Sequence, residues 1–178
     1  MTSAIMHAAT DVGGETIRFA TGRCWLGVVL VAISHKGVCA ILLGDDPQAL
    51  ADDLAHRFAH ATVTAGDEDA SRQLAQVIRF VEAPARGVDF PLDLRGTPFE
   101  QRVWQALMTI PVGSTASYGD IARSLGEPRM AREVGEACAA NALAIAVPCH
   151  RIVKADGGIS GYRWGVRRKR ALLQREAA

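Results

Sequence analysis

Ala144-Ile145-Ala146-Val147-Pro148-Cys149-His150-Arg151-Ile152-Val153 reads as a buried apolar strand interrupted by a polar tetrad. Pro148 has no amide hydrogen for a sheet ladder, so regular pairing is expected to break just before the cysteine. In a regular strand Cys149 and His150 point to opposite faces, so contact between them needs a turn or an intervening water. A thiol becomes a nucleophile when its thiolate is favoured, and the imidazole and guanidinium that follow Cys149 favour it. Taken alone, the stretch fits a buried structural cysteine beside a surface histidine better than a reactive thiol. Other parts of the chain reverse that preference.

At 178 residues the chain is one domain or two small ones, long enough for a real hydrophobic core. With 49% hydrophobic and 22% charged residues it has the composition of an ordinary globular protein. No run approaches the ~20 apolar residues of a membrane span, and Met1 to Glu15 shows no basic-then-apolar secretory signal. Cys24, Cys39, Cys138 and Cys149 form no CxxC pair and no disulfide-dense pattern, which favours free thiols in a reducing cytoplasm. A net charge of +1 hides a division. Residues 1–94 carry 7 Lys and Arg against 12 Asp and Glu, whereas residues 95–178 carry 13 against 7. The basic half is suited to a polyanion, although a solvated mixed-charge surface explains the numbers equally well.

Residues 1–15 read as a flexible lead-in. Strand-like runs follow at Thr16 to Thr21, Cys24 to Ser34 and Val38 to Leu43, the last two joined by a hairpin signal, Ser34-His35-Lys36-Gly37. Helices are expected from Pro47 to about Ala59 and from Asp69 to Glu82. Pro84 to Arg95 is a connector, and the domain boundary is placed near residue 93. Beyond it the chain is mainly helical. Thr97-Pro98-Phe99-Glu100 is a capping-box pattern, followed by Phe99, Val103, Ala106, Leu107 and Ile110 on one helical face. Ser117-Tyr118-Gly119-Asp120 caps a short helix that Gly126 closes. Glu127-Pro128 opens a third helix with Val134, Ala137 and Cys138 as its apolar stripe, and Asn141 falls where a left-handed cap would fit. From Trp164 the tail reads as a basic helix, with Arg163, Arg167, Arg168, Lys169 and Arg170 clustered and Val166, Leu172 and Leu173 facing inward. Two short helices joined by a glycine turn suggest helix-turn-helix, or plain core packing. Arg123, Arg129 and Arg132 would supply phosphate contacts in the first case.

In this order, Ser117-Tyr118 to Ala122, Ala131-Arg132-Glu133-Val134-Gly135, Asn141 and Pro148-Cys149-His150-Arg151 resemble the O6-alkylguanine-DNA alkyltransferases. Ser160-Gly161-Tyr162-Arg163-Trp164-Gly165 and Arg175-Glu176 are similar to the C-terminal repair domain of bacterial Ada proteins in particular. The resemblance covers roughly Thr16 to Glu176, including Ala40 to Asp46. It implies an α+β fold, with a small RNase H-like α/β domain with an antiparallel sheet over 16–93. A mainly helical winged helix-turn-helix domain follows over 94–178. It also implies a monomer that needs no cofactor and binds double-stranded DNA through the minor groove. There it removes the methyl group of O6-methylguanine, and of O4-methylthymine, by irreversible single-turnover transfer.

The same resemblance assigns roles. Cys149 is the nucleophile and His150 takes its proton through a water. Glu176 holds the ring in the manner of a hydrolytic triad, and Asn141 braces the thiol region. A free thiol has a pKa of ~8.5, so such activation is required. The target base lies inside a duplex and must be flipped out. Arg132 matches the arginine that fills the gap; a phosphate clamp or a salt bridge with Glu136 is the alternative. Tyr118 matches the tyrosine that crowds the target phosphate and hydrogen-bonds guanine N3. Val147, Tyr162 and Trp164 are placed around the substrate pocket. Many relatives carry Pro at the position of Ala144 and Gly at that of Trp164, so an indole here is expected to favour methyl over benzyl lesions. Arg151 is expected to brace the fold. Cys24, His35 and Cys39 are expected to be core and turn residues rather than a zinc site.

No Cys-rich zinc cluster precedes these elements, so phosphotriester repair and transcriptional activation are not expected, and a stand-alone protein or part of a larger product are both open. A lesion sensor would replace the nucleophile, which is present. A thiol hydrolase would need an oxyanion hole and would turn over esters or amides. A purely structural DNA-binding protein would be indifferent to loss of Cys149 apart from stability.

Overall fold

In the computed structural model residues 14–178 are described; the expected flexible lead-in falls, for residues 1–13, outside them. Three antiparallel strands, β1 (Thr16–Cys24), β2 (Gly27–Ser34) and β3 (Gly37–Gly44), form most of a four-stranded sheet. A short β4 (Thr62–Ala65) adds parallel to β1, giving the order β3-β2-β1-β4. The unbroken apolar runs Val28–Ile33 and Val38–Leu43 explain why β2 and β3 are buried on both faces. Two strand limits differ from the expectation. β1 continues past Thr21 to Cys24, because Gly22 is a packing site against Leu74 and Ile78 and not a break, and β2 starts only at Gly27. β4 was not expected: its residues are mostly exposed and carry no alternation.

Helices α1 (Pro47–Arg57) and α2 (Glu68–Glu82) start at Asp46 and Asp67, whose carboxylates accept from Gln48 N and Ala70 N. Leu50 and Leu54 of α1, and Ala70, Val77, Phe80 and Val81 of α2, face the sheet. The outer edge of β3 is a row of backbone groups that needs partners. It finds them in two later segments. Val38 N donates to Pro91 O (2.9 Å) and Asp93 N to Val38 O (2.8 Å), while Ile41 N donates to Ala142 O (2.8 Å) and Ala144 N to Ile41 O (3.0 Å). Gly37 allows the first approach: at φ 145° a Cβ would stand 2.6 Å from Pro91 O.

The second half contains α3 (Pro98–Met108), α4 (Tyr118–Ser124), α5 (Ala131–Ala140) and α6 (Val166–Ala177), with two-residue strands β5 (Ala116–Ser117) and β6 (Ile152–Val153) paired in parallel. The expected capping box forms between Thr97 and Glu100, and the cap expected at Ser117 proves to be a second box, with Asp120. Gly126 sits at φ 75° after α4. The third helix begins at Ala131, not at Glu127-Pro128. Glu127 N and Met130 N are used by Ala122 O and Glu127 O, which makes 125–130 a turn and places Arg129 in it. Trp104, absent from the expected apolar face, is buried and donates its indole N–H to Ala137 O (2.8 Å), tying α3 to α5. Val166 does not face inward; it is exposed, whereas Lys169 of the basic helix is completely buried. The buried residues form one cluster running from Ile17 to Leu172 across residue 93. Among the described residues no helix is long and apolar enough to cross a membrane.

Candidate active site

The segment after α5 is not a strand. Ala142–Val147 folds into a tight turn held by Ala146 N to Ala144 O (2.7 Å) and Val147 N to Leu143 O (3.0 Å), with Ile145 at φ 68°. A β-branched residue at positive φ is rare and strained. Pro148 follows, Cys149–Arg151 is a single 3-10 turn, and only Ile152–Val153 is strand. Asn141, expected as a left-handed cap, has φ −61° and ψ 127°. Its side chain explains its presence. Oδ1 accepts from Leu143 N (2.8 Å), and Nδ2 lies 3.3, 3.1 and 3.2 Å from Leu143 O, Val147 O and Cys149 Sγ. One buried amide therefore fixes both the turn and the thiol.

Cys149 is 6% exposed and opens onto a cavity of about 340 Å³, also lined by Tyr118, Cys138, Tyr162, Arg163 and Trp164. That volume is in the range of small-ligand pockets. Contact with the Cys138 side chain and burial hold the Cys149 thiol well above its ordinary pKa, against the pull of Asn141 and Lys169. The resting group is a thiol and needs a base. His150, the next residue, is fully buried, with Nε2 2.8 Å from Glu176 Oε1. Burial works against the Glu176 charge, but hydrogen bonds and charges from His150 and Arg151 prevail and bring its pKa down to about 2. An ionised carboxylate only accepts, so Nε2 carries the ring proton and Nδ1 keeps its lone pair. Nδ1 has no hydrogen-bond partner among the described residues. Burial lowers the His150 pKa, so the ring is a neutral, basic imidazole at rest. Arg151 grips the same carboxylate through Nε (3.0 Å) and Nη2 (2.9 Å) and donates to Ile110 O (2.7 Å), the bracing role expected of it.

Tyr162 stacks edge-on against Trp164 (centroids 5.3 Å apart) and His150 (6.5 Å), forming one wall. Val147, expected at the pocket, does not line it; the side chain is in the core and only its carbonyl serves the site, accepting from Cys149 N (2.8 Å) and Asn141. Tyr118, half-buried at the start of α4, lines the cavity and donates its hydroxyl to Ser160 Oγ (2.9 Å). The three arginines lie outside this cavity. Arg123 pairs with Asp120, Arg129 projects from the turn, and Arg132 is 87% exposed with Nε 3.3 Å from Glu136. The salt bridge considered for Arg132 is thus present, on the exposed surface, where such pairs contribute little. Sequence reasoning missed Cys138, Ser160 and Lys169. The signal for the last was its spacing of three residues from Leu172, which puts a cation on the apolar face of α6. Cys24 ends β1, His35 sits at the exposed hairpin tip and Cys39 is buried; among the described residues no three His, Cys, Asp or Glu side chains gather to hold a metal.

The site is thus a buried thiol that opens onto a cavity beside the helix pair α4–α5. Residues 98–178 match the family model described as 6-O-methylguanine DNA methyltransferase, DNA binding domain. The chain is 49% identical over 167 residues to the bifunctional transcriptional activator/DNA repair enzyme Ada of Escherichia coli, covering 93% of this chain and 47% of that protein. It is 58% identical over 88 residues to the methylated-DNA–protein-cysteine methyltransferase of Mycobacterium tuberculosis, covering 49% and 53%. The chain thus spans about half the length of these curated relatives. Crystal structures of the M. tuberculosis O6-methylguanine methyltransferase superpose over 90% of this chain and 93% of that one, with TM-score 0.72 at 36% identity. A structure of that protein in complex with DNA gives 0.71 at 37%, covering 91% and 92%. The chain belongs to the O6-alkylguanine-DNA alkyltransferase, or methylated-DNA–protein-cysteine methyltransferase, family.

Proposed function

We propose that the protein repairs DNA by taking the methyl group of O6-methylguanine onto Cys149 in one irreversible step. The observation that carries this reading is the buried pair Glu176–His150, which leaves Nδ1 unpartnered among the described residues on the residue next to a thiol that faces a cavity of base size. The thiol proton passes to His150, through a water in this reading, and the imidazolium is stabilised by Glu176. Sγ attacks the methyl carbon in line, the carbon–O6 bond breaks, and guanine departs. A thioether has no easy route back to thiol, so each molecule acts once.

The cavity cannot be reached by a base stacked in a duplex, which supports extrusion of the lesion, with the exposed Arg132 leaving its weak pairing with Glu136 to enter the gap. Tyr118, Arg123 and Arg129 lie on or beside the helix pair α4–α5 and would hold the backbone. Minor-groove docking suits this role because the base code there is degenerate. We read O4-methylthymine as a second substrate and the protein as a monomer. Its four free cysteines suit the cytoplasm. Residues 16–93 and 94–178 are read as an N-terminal and a C-terminal domain built on a common core. With Trp164 and Tyr162 closing the pocket wall, methyl is preferred to benzyl.

The test is incubation with a duplex containing one O6-methylguanine, followed by intact-protein and peptide mass analysis. A gain of one methyl on Cys149 that stops at one equivalent is the expected result. Tight lesion binding with no mass change would instead mark a sensor, and comparable rates on methyl- and benzylguanine would remove the pocket argument.

A further inference from the structure

Two sulfurs meet in a cavity where the proposed reaction needs one. Cys138, on the last turn of α5, and Cys149, in the 3-10 turn, both line it, and both are free thiols. Cys138 O accepts from Cys149 Sγ (3.6 Å) and from Asn141 N (3.3 Å), so the end of α5 is folded directly onto the nucleophile. Contact with the Cys138 side chain is also the first influence that keeps Cys149 protonated. The other two cysteines lie elsewhere: Cys24 ends β1, and Cys39 donates to Ala32 O (3.5 Å) inside the sheet. Cys138 is only half-buried. Packing gives little reason for a thiol at such a position, since an alanine would cover the same helix face and bring no second sulfur to the first.

We infer that Cys138 is a resolving thiol: hydrogen peroxide that enters the cavity oxidises Cys149, and the pair closes into a reversible Cys138–Cys149 disulfide. In the first step Cys149 Sγ attacks one peroxide oxygen. The O–O bond breaks, the departing hydroxide takes the thiol proton and leaves as water, and Cys149 becomes a sulfenic acid. Cys138 Sγ then attacks the Cys149 sulfur. The S–S bond forms, the S–O bond breaks, and hydroxide leaves with the Cys138 proton as a second water. Two thiols are oxidised to one disulfide while peroxide is reduced to water, so the electrons balance. The residues are 11 apart in the chain, and the loop between them is already held folded by Asn141. A sulfenic acid with no thiol beside it goes on to sulfinic acid, which ordinary thiols do not reverse. A disulfide is returned to two thiols by exchange. In reducing compartments such bonds are transient and report oxidant. The bond itself does not depend on the proposed methyl transfer. Its consequence does: while the bond is closed Sγ cannot accept a methyl group, and a protein that acts only once is kept intact for later use.

The experiment exposes the full chain to hydrogen peroxide, blocks the remaining thiols with iodoacetamide, and maps the peptides by mass without reduction. The expected product is a pair of peptides joined through Cys138 and Cys149, lighter by two hydrogen atoms and separated by dithiothreitol. After that reduction, methyl acceptance from an O6-methylguanine duplex should return in full. Cys138→Ala, or Cys138→Ser if the first variant does not fold, is expected to form no joined pair. It should instead lose Cys149 to sulfinic acid that dithiothreitol does not restore. Sulfinic acid at Cys149 to the same extent with and without Cys138 would overturn the inference. So would a bond from Cys149 to Cys24 or Cys39, or an unaltered protein in which the two thiols never join. Failure of the untreated protein to accept a methyl group would refute the proposed function instead, since peptide mass reports the bond in either case.

Discussion

Asn141 holds the turn before the nucleophile with both ends of one side chain. Among the described residues Leu143 N has no other partner, so truncation strands a buried donor as well as removing the contact to Cys149. Asn141→Ala is expected to lower unfolding free energy by about 2 kcal/mol in denaturant titrations and to slow methyl transfer further than that loss explains. Glu176 offers a second residue-level test. Its carboxyl, ordinarily near 4.5, sits at about 2 in the folded protein. A depressed carboxylate contributes stability that is complete above the unfolded value and is lost as pH falls through the folded one. The contribution is about 3 kcal/mol. His150 works in the same direction: burial lowers its pKa from 6.5, so protons favour the unfolded chain below that pH. Stability should therefore fall as pH drops from about 4.5 to 2, and Glu176→Gln should flatten that slope while impairing transfer at neutral pH. An equally steep acid slope in the variant would show that the carboxylate is not what titrates.

Helices that begin with local chemistry were legible from sequence, and those fixed by distant partners were not. Thr97 with Glu100 and Ser117 with Asp120 signal their own starts three residues ahead, and both capping boxes form. Pro128 suggests a helix start as plainly, but Glu127 N is already taken by Ala122 O, and the helix waits until Ala131. β4 carries no pattern because it is a short edge strand whose side chains mostly meet solvent. The site divides the same way. Asn141 reaches Cys149 and Glu176 reaches His150, yet Lys169 was read with its cationic neighbours because its partner, Ser160, lies on a separate loop. At this scale α5 also carries a prediction. Arg132 is 87% exposed, so Arg132→Ala should shift stability by no more than about 0.5 kcal/mol. Methyl transfer from duplex DNA should slow at least about tenfold, since unstacking is worth a few kcal/mol, with little change on single-stranded substrate. Equal slowing on both would make Arg132 a phosphate clamp.

Across the whole molecule, α6 is the member that reports one half to the other. Arg168 donates to Leu26 O (2.9 Å) at the β1–β2 turn and pairs with Asp45 (2.7 Å). Arg175 lies 4.4 Å from the centroid of Trp25 and donates to Glu82 O (3.1 Å) at the end of α2. The next residue is Glu176, so the carboxylate that orients His150 is set by a helix clamped to the sheet layer. Arg168→Ala is expected to cost about 2 kcal/mol and several degrees of thermal midpoint. Methyl transfer should fall with it, through misplacement of Glu176; a melting curve and a single-turnover rate suffice to check both.

The β3 edge has a further consequence, for how such a chain can be reshuffled. Composition changes sharply near residue 93, and a recombination there would look harmless on paper. Yet the strand upstream supplies Ile41 N and O to Ala142 and Ala144, the residues that lead into the cysteine turn. A transplanted 94–178 fragment would arrive with that turn unanchored, and any new host would have to present an open strand edge at the same height to receive it. The chemistry travels as a cassette only if its docking rail travels too.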